Sequence, residues 1–507
     1  MFKNTLVVTV FLILSGLLGF FAQIIFASSF GASAEMDVYF KVLSVPAILT
    51  GISPIIFSSV LIPSLAKFKS DKEELKKFID SMWMLVLFFG ILFSLVGFFT
   101  MLKFIDFFIP ENTIYFRNIG IQVSLLVWIG SGFILMSGYL SAVLNYNKKF
   151  FKVAWTSLLP ASFMIAIVLL FDEILGVRSI ALGFCIALTI QFLIFLKASK
   201  VTFSFFKFNL NDIPFKRLLL GQSFLVTLSL LPFTVLVPIA YFWASKLEIG
   251  SVSYLGYSQN FSGFLSVAVS MGISIVSFPE LADKFANDEG RSSLKKFEKS
   301  LRYVLLFAMF AVGVLIALRI PILTIFYQRG SFDVEAVNNL SSVLPWYLLA
   351  AIFVGGLNLL RTLFYSRGKF KEIALLGLII PIIFFVISGI LKENFSFVGI
   401  GIANTLTFAI LFFMTVYLAK NKDLEFLTKN FYFFIIKNFI SVLIAGLIVT
   451  LFLSLISDIA PLLVSIILSL FLFLVIYLFS SRFIFKLSEI EEIISIVMNK
   501  LRSSKYS

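Results

Sequence analysis

Hydrophobic runs of about twenty residues recur from one end of the chain to the other, separated by short polar loops. A helix of this length crosses the ~30 Å hydrocarbon core of a bilayer, so each run predicts a membrane span. The runs lie at residues 6–30, 36–66, 80–103, 119–143, 153–172, 179–196, 218–243, 254–281, 303–326, 341–366, 373–391, 397–418, 433–456 and 460–481. The pattern therefore predicts an all-α integral membrane protein with about fourteen transmembrane helices.

Lysine and arginine alternate between successive loops. The even-numbered loops, the C-terminal tail and Lys3 hold 31 of the 41 cationic side chains, whereas the odd-numbered loops hold 7. Because cytoplasmic loops are enriched in Lys and Arg, both termini are expected in the cytoplasm. The net charge of +14 then reflects topology and attraction to anionic lipid heads, so membrane lipid is an expected partner and nucleic acid is not.

Composition excludes several classes of function. Hydrophobic residues make up 60% of the chain and charged residues only 13%, about half the share typical of soluble domains. There is no histidine and a single cysteine, Cys185, so histidine chemistry and an intramolecular disulfide are excluded. No Walker motif occurs. We expect no enzyme activity and no cofactor, with the membrane potential or a coupling monovalent ion as possible energy sources.

Short segments repeat at an offset of 216 to 219 residues. Leu61–Leu65 corresponds to Ser277–Leu281, and Lys149–Lys152 corresponds to Gly368–Lys371. Six spans separate the copies, so the repeat is parallel, and transporters built this way place their substrate between the two halves. The predicted organisation is a six-helix lobe at 1–210, a second at 211–426, and a C-terminal piece at 427–507. That piece adds two spans and an amphipathic helix running from Phe483 to Leu501.

Two charged residues stand out in the second span. Asp37 and Lys41 lie one helical turn apart and share a face. Charges inside a span usually face a cavity or a partner, so both are candidates to line the passage. The alternative is that Asp37 caps its own helix at the membrane surface while Lys41 snorkels outward. Pro46, Pro54 and Pro63 predict that this helix is bent.

Four further residues complete the set of candidates. Tyr257, Gln259 and Asn260 bring hydrogen-bonding groups into the eighth span, either to bind cargo or to join helices. Arg361, in the tenth span, either faces the passage or snorkels. Lys246 lies just after the seventh span.

These features together resemble the MurJ (MviN) family of lipid II flippases in the MOP exporter superfamily. The segments that carry the resemblance are Ser15–Phe20, Phe30-Gly31-Ala32 followed by Asp37, Ile62–Leu65, Gly250–Tyr254, Phe326–Phe332 and Phe364–Arg367. The resemblance implies a bacterial inner-membrane flippase that moves an undecaprenyl-pyrophosphate-linked saccharide, with the head group in a central cavity containing Asp37. It also implies a groove for the lipid tail beside the last two spans, and the cell-wall synthesis machinery as a possible partner.

One departure from the family leaves the cargo open. The resemblance implies cavity arginines, but the corresponding positions hold neutral residues, Gly16, Ala22, Thr50, Gly51 and Asn260. A pyrophosphate in a low-dielectric passage needs compensating charge, which Lys41, Lys246 or Arg361 would have to supply. The alternatives are a Wzx-like exporter of O-antigen or capsule glycans, an ion-coupled drug antiporter, or a scaffold that transports nothing.

Overall fold

The computed structural model describes residues 2–53, 57, 61, 65, 72–108, 114–202, 222–264, 290–367, 369–421, 429–456 and 459–503. Within these ranges the regular structure is helical and no strand occurs. The helices are α1 (Phe2–Phe30), α2 (Ala34–Thr50), α3 (Lys72–Phe108), α4 (Ile114–Tyr146), α5 (Phe150–Thr156), α6 (Leu159–Leu175), α7 (Arg178–Ser199), α8 (Gln222–Ala244), α9 (251–264), α10 (Gly290–Ala317), α11 (Arg319–Tyr327), α12 (Val334–Ser366), α13 (Phe370–Asn421), α14 (Lys429–Ile456), α15 (Leu462–Phe479) and α16 (Ser488–Ser503).

Every predicted span overlaps a helix, so the predicted all-α membrane fold is confirmed. Ten segments of the described chain are long and apolar enough to cross a membrane. One of them, Phe370–Ala419, covers both the eleventh and the twelfth predicted spans. Ser396, with φ 50° and ψ −139°, interrupts α13 between these two spans. The second, seventh and eighth predicted spans overlap α2, α8 and α9, and much of the second and eighth lies outside the described residues. Pro46 lies inside α2, whereas Pro54 and Pro63 fall outside the described residues.

Two predicted spans are each divided into two helices. The fifth consists of α5 and α6, and the ninth breaks at Leu318 between α10 and α11. A proline follows each break within the first turn of the new helix, Pro160 in α6 and Pro321 in α11. Proline fits this position because the first-turn N–H groups have no partner within the helix. Hydropathy averaged over a whole span does not reveal such breaks, because one or two polar residues such as Ser157 or Arg319 barely lower the mean.

The described chain forms two compact units. The first comprises Met1–Asn260, Arg329–Ala336 and Phe370–Ala403. Its core includes the fully buried Trp83 of α3, whose ring stacks on Tyr139 of α4 at 6.2 Å and on Phe192 of α7 at 6.1 Å between ring centroids. The Tyr139 hydroxyl also donates a hydrogen bond to the carbonyl of Ile79 at 2.7 Å. These aromatic side chains join three helices into one bundle.

The second unit comprises Phe261–Gln328, Val337–Lys369 and Asn404–Ser507. Its helices α10, α14 and α15 meet at the fully buried Asn438. The Tyr477 hydroxyl donates to Asn438 Oδ1 at 2.8 Å, and Asn438 Nδ2 contacts Met309 Sδ at 3.2 Å. Polar contacts of this kind join helices in a bilayer, where burial of apolar surface gives little driving force. They hold the two extra C-terminal spans against α10.

The predicted C-terminal amphipathic helix is present, but it begins later than expected. Phe483 belongs to a π-helical turn over Ser480–Ile484, and α16 starts only at Ser488. Leu487 and Ile490 are buried as the pattern predicts. The charged face of α16 is also engaged with protein, because Arg302 of α10 bonds Glu489 at 2.8 Å and Glu298 at 2.6 Å.

Loss of the Arg302 contacts should loosen α16. Arg302→Ala leaves Glu298 and Glu489 buried without their cation, so we expect a cost of roughly 2–4 kcal/mol and faster proteolysis near residues 485–488. Lys299→Ala is the matched control, because its pair with Glu492 is solvent-exposed and worth under about 1 kcal/mol. Equal protease sensitivity of the two variants would contradict this account.

Candidate transport site

Asp37 is buried in α2 and binds the first turn of α9. Its carboxylate accepts hydrogen bonds from the Gly250 N–H at 2.8 Å, the Ser253 N–H at 2.7 Å and the Ser253 hydroxyl at 2.5 Å. The cap of α2 itself is Ser33, whose side chain accepts from the Met36 N–H. Asp37 thus caps a helix more than two hundred residues away, where a negative charge complements the helix dipole.

Lys41 lies one turn beyond Asp37 and is only 1% exposed. It is buried among protein atoms instead of extending to the membrane surface. A buried ammonium is tolerated when an opposite charge offsets its loss of solvation, and the Asp37 carboxylate supplies that attraction. Asp37 and Lys41 together place two buried charges at the contact between α2 and α9.

Tyr257 extends the same contact along α9. Its side chain is fully buried, and its hydroxyl donates to the Gly31 carbonyl at 2.9 Å. The ring meets Phe40 edge-on at 5.4 Å and Phe332 at 5.6 Å between ring centroids. Tyr257 therefore joins the loop after α1, helix α2 and the loop before α12.

Three glycines with positive φ allow these loops to approach closely. Gly31 has φ 61°, Gly250 has φ 91° and Gly330 has φ 54°. A Cβ at Gly250 would lie 2.8 Å from the Ala32 carbonyl oxygen, and one at Gly330 would lie 2.9 Å from the Ser28 hydroxyl. We call this set of contacts among the first, seventh and ninth loops the glycine junction. It also includes the 2.8 Å hydrogen bond from the Ser331 N–H to the Ser28 carbonyl.

Three further odd-numbered loops of the first unit make contacts of the same kind. Tyr115 at the third loop bonds Glu35, Ser29 bonds Asp172 at the fifth, and the Trp243 indole donates to Phe385, which leads into the eleventh. Even-numbered loops contact one another as well: Lys149 bonds the Ala198 carbonyl, and the Thr202 N–H donates to Asp80. Odd-numbered loops thus contact odd-numbered loops, and even-numbered loops contact even-numbered loops, as expected when successive spans cross the membrane in opposite directions.

The other candidate residues are spread more widely. Asn260 is exposed and donates to Gln23 Oε1 at 3.2 Å, with the half-buried Gln259 beside it in α9. Lys246 is exposed on the turn after α8, and its ammonium lies over the Phe242 ring, 4.4 Å from the centroid. Arg361 belongs to α12 in the second unit, where it contacts Asn358 at 3.4 Å.

The structure thus brings Asp37, Lys41 and Tyr257 together within the first unit, while Lys246 lies over the Phe242 ring and Arg361 belongs to the second unit. Sequence reasoning missed Ser253 as the partner of Asp37. Ser253 lies in Gly250–Tyr254, one of the segments that carry the family resemblance, so the sequence marked this segment as important. Only the structure shows that the segment binds Asp37. Among the described residues, no group of three His, Cys, Asp or Glu side chains could hold a metal ion.

Comparison with solved structures shows which fold the chain shares. The structure titled "Lipid II flippase MurJ, inward closed conformation" superposes with a TM-score of 0.77 at 21% identity, covering 95% of this chain and 99% of that one. An inward-facing multidrug resistance MATE family transporter of the MOP superfamily superposes with a TM-score of 0.62 at 15% identity, covering 80% and 95%. The fold is therefore one shared with MOP superfamily membrane transporters.

Sequence comparison gives the family. The family model described as "Lipid II flippase MurJ" matches residues 26–483, so this chain belongs to the MurJ family. The probable lipid II flippase MurJ of Buchnera aphidicola subsp. Acyrthosiphon pisum is 26% identical over 399 residues, 73% of this chain and 74% of that protein. The lipid II flippase MurJ of Burkholderia cenocepacia is 22% identical over 386 residues, 73% and 74% of the two chains.

Proposed function

We propose that this protein is a flippase, not an enzyme, and that it moves lipid II across the bacterial inner membrane. The observation that carries the proposal is the match of the MurJ family over residues 26–483. Lipid II is an undecaprenyl-pyrophosphate-linked peptidoglycan precursor, so the transported species is an anion with a large polar head. The cell-wall synthesis machinery that consumes it is the proposed partner.

The proposed orientation of the protein in the membrane follows from the positive-inside rule. The cationic even-numbered loops lie in the cytoplasm together with both termini, and the glycine junction lies on the outer face. An interior-negative potential favours outward movement of an anion by about 2.3 kcal/mol per charge per 100 mV. The potential, or a coupled monovalent ion, would then replace ATP as the source of energy.

In the proposed transport cycle, the contact between α2 and α9 closes the outer side. Opening it separates the Asp37 carboxylate from the first-turn N–H groups of α9 and uncovers Lys41. Free N–H groups at a helix start, beside a cation, form an anion site, so the same donors would bind the pyrophosphate. Asp37 and the cargo would occupy these donors in alternation, which couples cargo binding to opening.

A second candidate function is the export of another lipid-linked glycan, such as an O-antigen or capsule unit. This second function is favoured by the hydrogen-bonded amides of Gln23 and Asn260, because the family resemblance implies an arginine at position 260, where this chain has asparagine. Amides offer neutral hydrogen bonds suited to sugar hydroxyls and supply no charge for a pyrophosphate. Gln259, next in the helix, would extend such a surface.

Complementation tests the two functions against each other. Expression of this chain in a bacterium depleted of its own lipid II flippase should restore growth and the outward exposure of the lipid II head group. In a matched strain that lacks its O-antigen exporter, expression of this chain should not restore O-antigen export. Rescue of the second strain alone would assign the chain to the other glycan, and rescue of neither would contradict both proposals.

A further inference from the structure

Arg319 lies in the second unit, at the boundary between α10 and α11. Arg319 opens α11 at the break after Leu318 and is partly buried. Its Nη1 donates to the Ile316 carbonyl at 3.0 Å. Its Nε is buried and has no hydrogen-bond partner within the described structure. A buried guanidinium donor left unsatisfied is costly, so an acceptor is expected nearby.

Arg319 borders a cavity of about 440 Å³ that contains several hydroxyl groups. We call it the Arg319 pocket, and its lining includes Arg319, Pro321, Thr324, Thr450, Ser454 and Ser465. No carboxylate lines it. The pocket therefore combines one cation with neutral polar groups, which suits an anion and excludes a cationic ligand.

The hydroxyl groups are oriented as acceptors. Thr450 and Ser454 donate their protons to the carbonyls of Leu447 and Leu451 at 2.9 and 2.8 Å. Their oxygen lone pairs remain available to a ligand that brings its own donors. A phosphodiester group itself offers no donor at neutral pH, whereas the glycerol head group attached to one offers two hydroxyls.

An apolar groove adjoins the pocket. It has a volume of about 190 Å³, shares Ala317, Arg319 and Thr450 with the pocket, and is lined by apolar residues that include Val312, Gly313, Ile352, Val442, Gly446 and Leu447. Gly446 opens space in α14, since a Cβ there would meet no atom within 4 Å. An anion site continuous with an apolar groove on a membrane-embedded surface matches the two parts of a phospholipid.

We propose that the Arg319 pocket binds a resident phosphatidylglycerol, with its phosphate on Arg319 and an acyl chain in the adjoining groove. The pocket is lined by residues of α14 and α15, the last two spans, beside which the family resemblance implies a groove for the cargo's lipid tail. The test therefore compares phosphatidylglycerol with an undecaprenyl lipid, and the proposal does not depend on flippase activity. The ligand would satisfy the guanidinium and hold α11 against α14, the helix that carries Thr450 and Gly446.

Lipid binding to the full-length protein tests the proposal. Protein in detergent is titrated with phosphatidylglycerol, with phosphatidylcholine of the same chains, and with undecaprenyl phosphate, and bound lipid is counted by native mass spectrometry. Wild type should hold one tight phosphatidylglycerol. Arg319→Gln should lower its affinity by about tenfold or more, and Arg319→Lys by less, because lysine keeps the charge but loses the fork of donors.

Two further variants keep the test decisive if Arg319→Gln misfolds. Gly446→Leu adds a side chain at a position where a Cβ would meet no atom within 4 Å, and it should lower phosphatidylglycerol affinity while leaving Arg319 in place. Arg117→Gln removes an exposed arginine elsewhere and should change nothing. Equal affinity for phosphatidylcholine, tighter binding of undecaprenyl phosphate, or unchanged binding by Arg319→Gln and Gly446→Leu would each overturn the proposal.

Discussion

Asp37→Ala should abolish complementation of a flippase-depleted strain. The change leaves Lys41 buried without its counter-charge and removes the acceptor for three hydrogen bonds from Gly250 and Ser253. Loss of one member of a buried, hydrogen-bonded charge pair typically costs about 3–5 kcal/mol. Even the lower figure shifts the balance between open and closed outer sides by more than about a hundredfold. Growth on depletion and exposure of the lipid II head group are the measurements.

The controls separate the role of Asp37 from a general effect of losing a carboxylate on this face. Asp172→Ala removes a partly exposed acid that accepts a hydrogen bond from the Ser29 hydroxyl, and it should retain nearly full activity. The double variant Asp37→Ala with Lys41→Met should be less damaged than the sum of its single changes, because the two charges act on each other. Full activity of Asp37→Ala, or strict additivity, would show that the pair has no such role.

Gly31→Val should destabilise the fold more than a typical loop substitution does. Gly31 has φ 61°, where a β-branched residue is strained, and a Cβ there would collide with the backbone carbonyl of Ser331. Together the strain and the clash should cost roughly 2–4 kcal/mol. The melting temperature of the purified protein should fall by several degrees, with a lower yield of monodisperse material.

Gly19→Val is the matched comparison for Gly31→Val. Gly19 lies within α1, the helix that ends just before Gly31, and a Cβ at position 19 would meet no atom within 4 Å. Its melting temperature should stay close to that of wild type. A similar loss of stability in both variants would mean that the close approach to Ser331 is not what makes glycine necessary at position 31.

Hydropathy and charge alone were sufficient to predict the membrane fold, because each span must satisfy its own backbone hydrogen bonds and bury an apolar length set by the bilayer. The same signals located the interruption at Ser396, because the polar residues Lys392, Glu393 and Asn394 separate two predicted spans there. They missed the break at Leu318, which falls inside the ninth predicted span. They also placed Phe483 in the final helix, although it lies in the preceding π-helical turn. Local backbone geometry decides such details, and hydropathy does not report it.

The site was only partly predictable. Spacing placed Asp37 and Lys41 on one face, and the cost of burying charge marked them as functional candidates. The partner of Asp37 is a helix start more than two hundred residues away, and no local pattern in one sequence links the two. Lys246 and Arg361 were proposed because they were the remaining cations; their contacts with Phe242 and Asn358 follow from the local turn and helix, which charge counting alone does not describe.

The central claim is that the glycine junction must open for the cargo to leave. Ser28 and Ser331 are joined there by a 2.8 Å backbone hydrogen bond, so cysteines at both positions would lie within disulfide reach in a background carrying Cys185→Ser. The account predicts that the oxidised double-cysteine protein fails to expose lipid II and that a reductant restores wild-type flipping. Full flipping by protein shown to be completely cross-linked would contradict it.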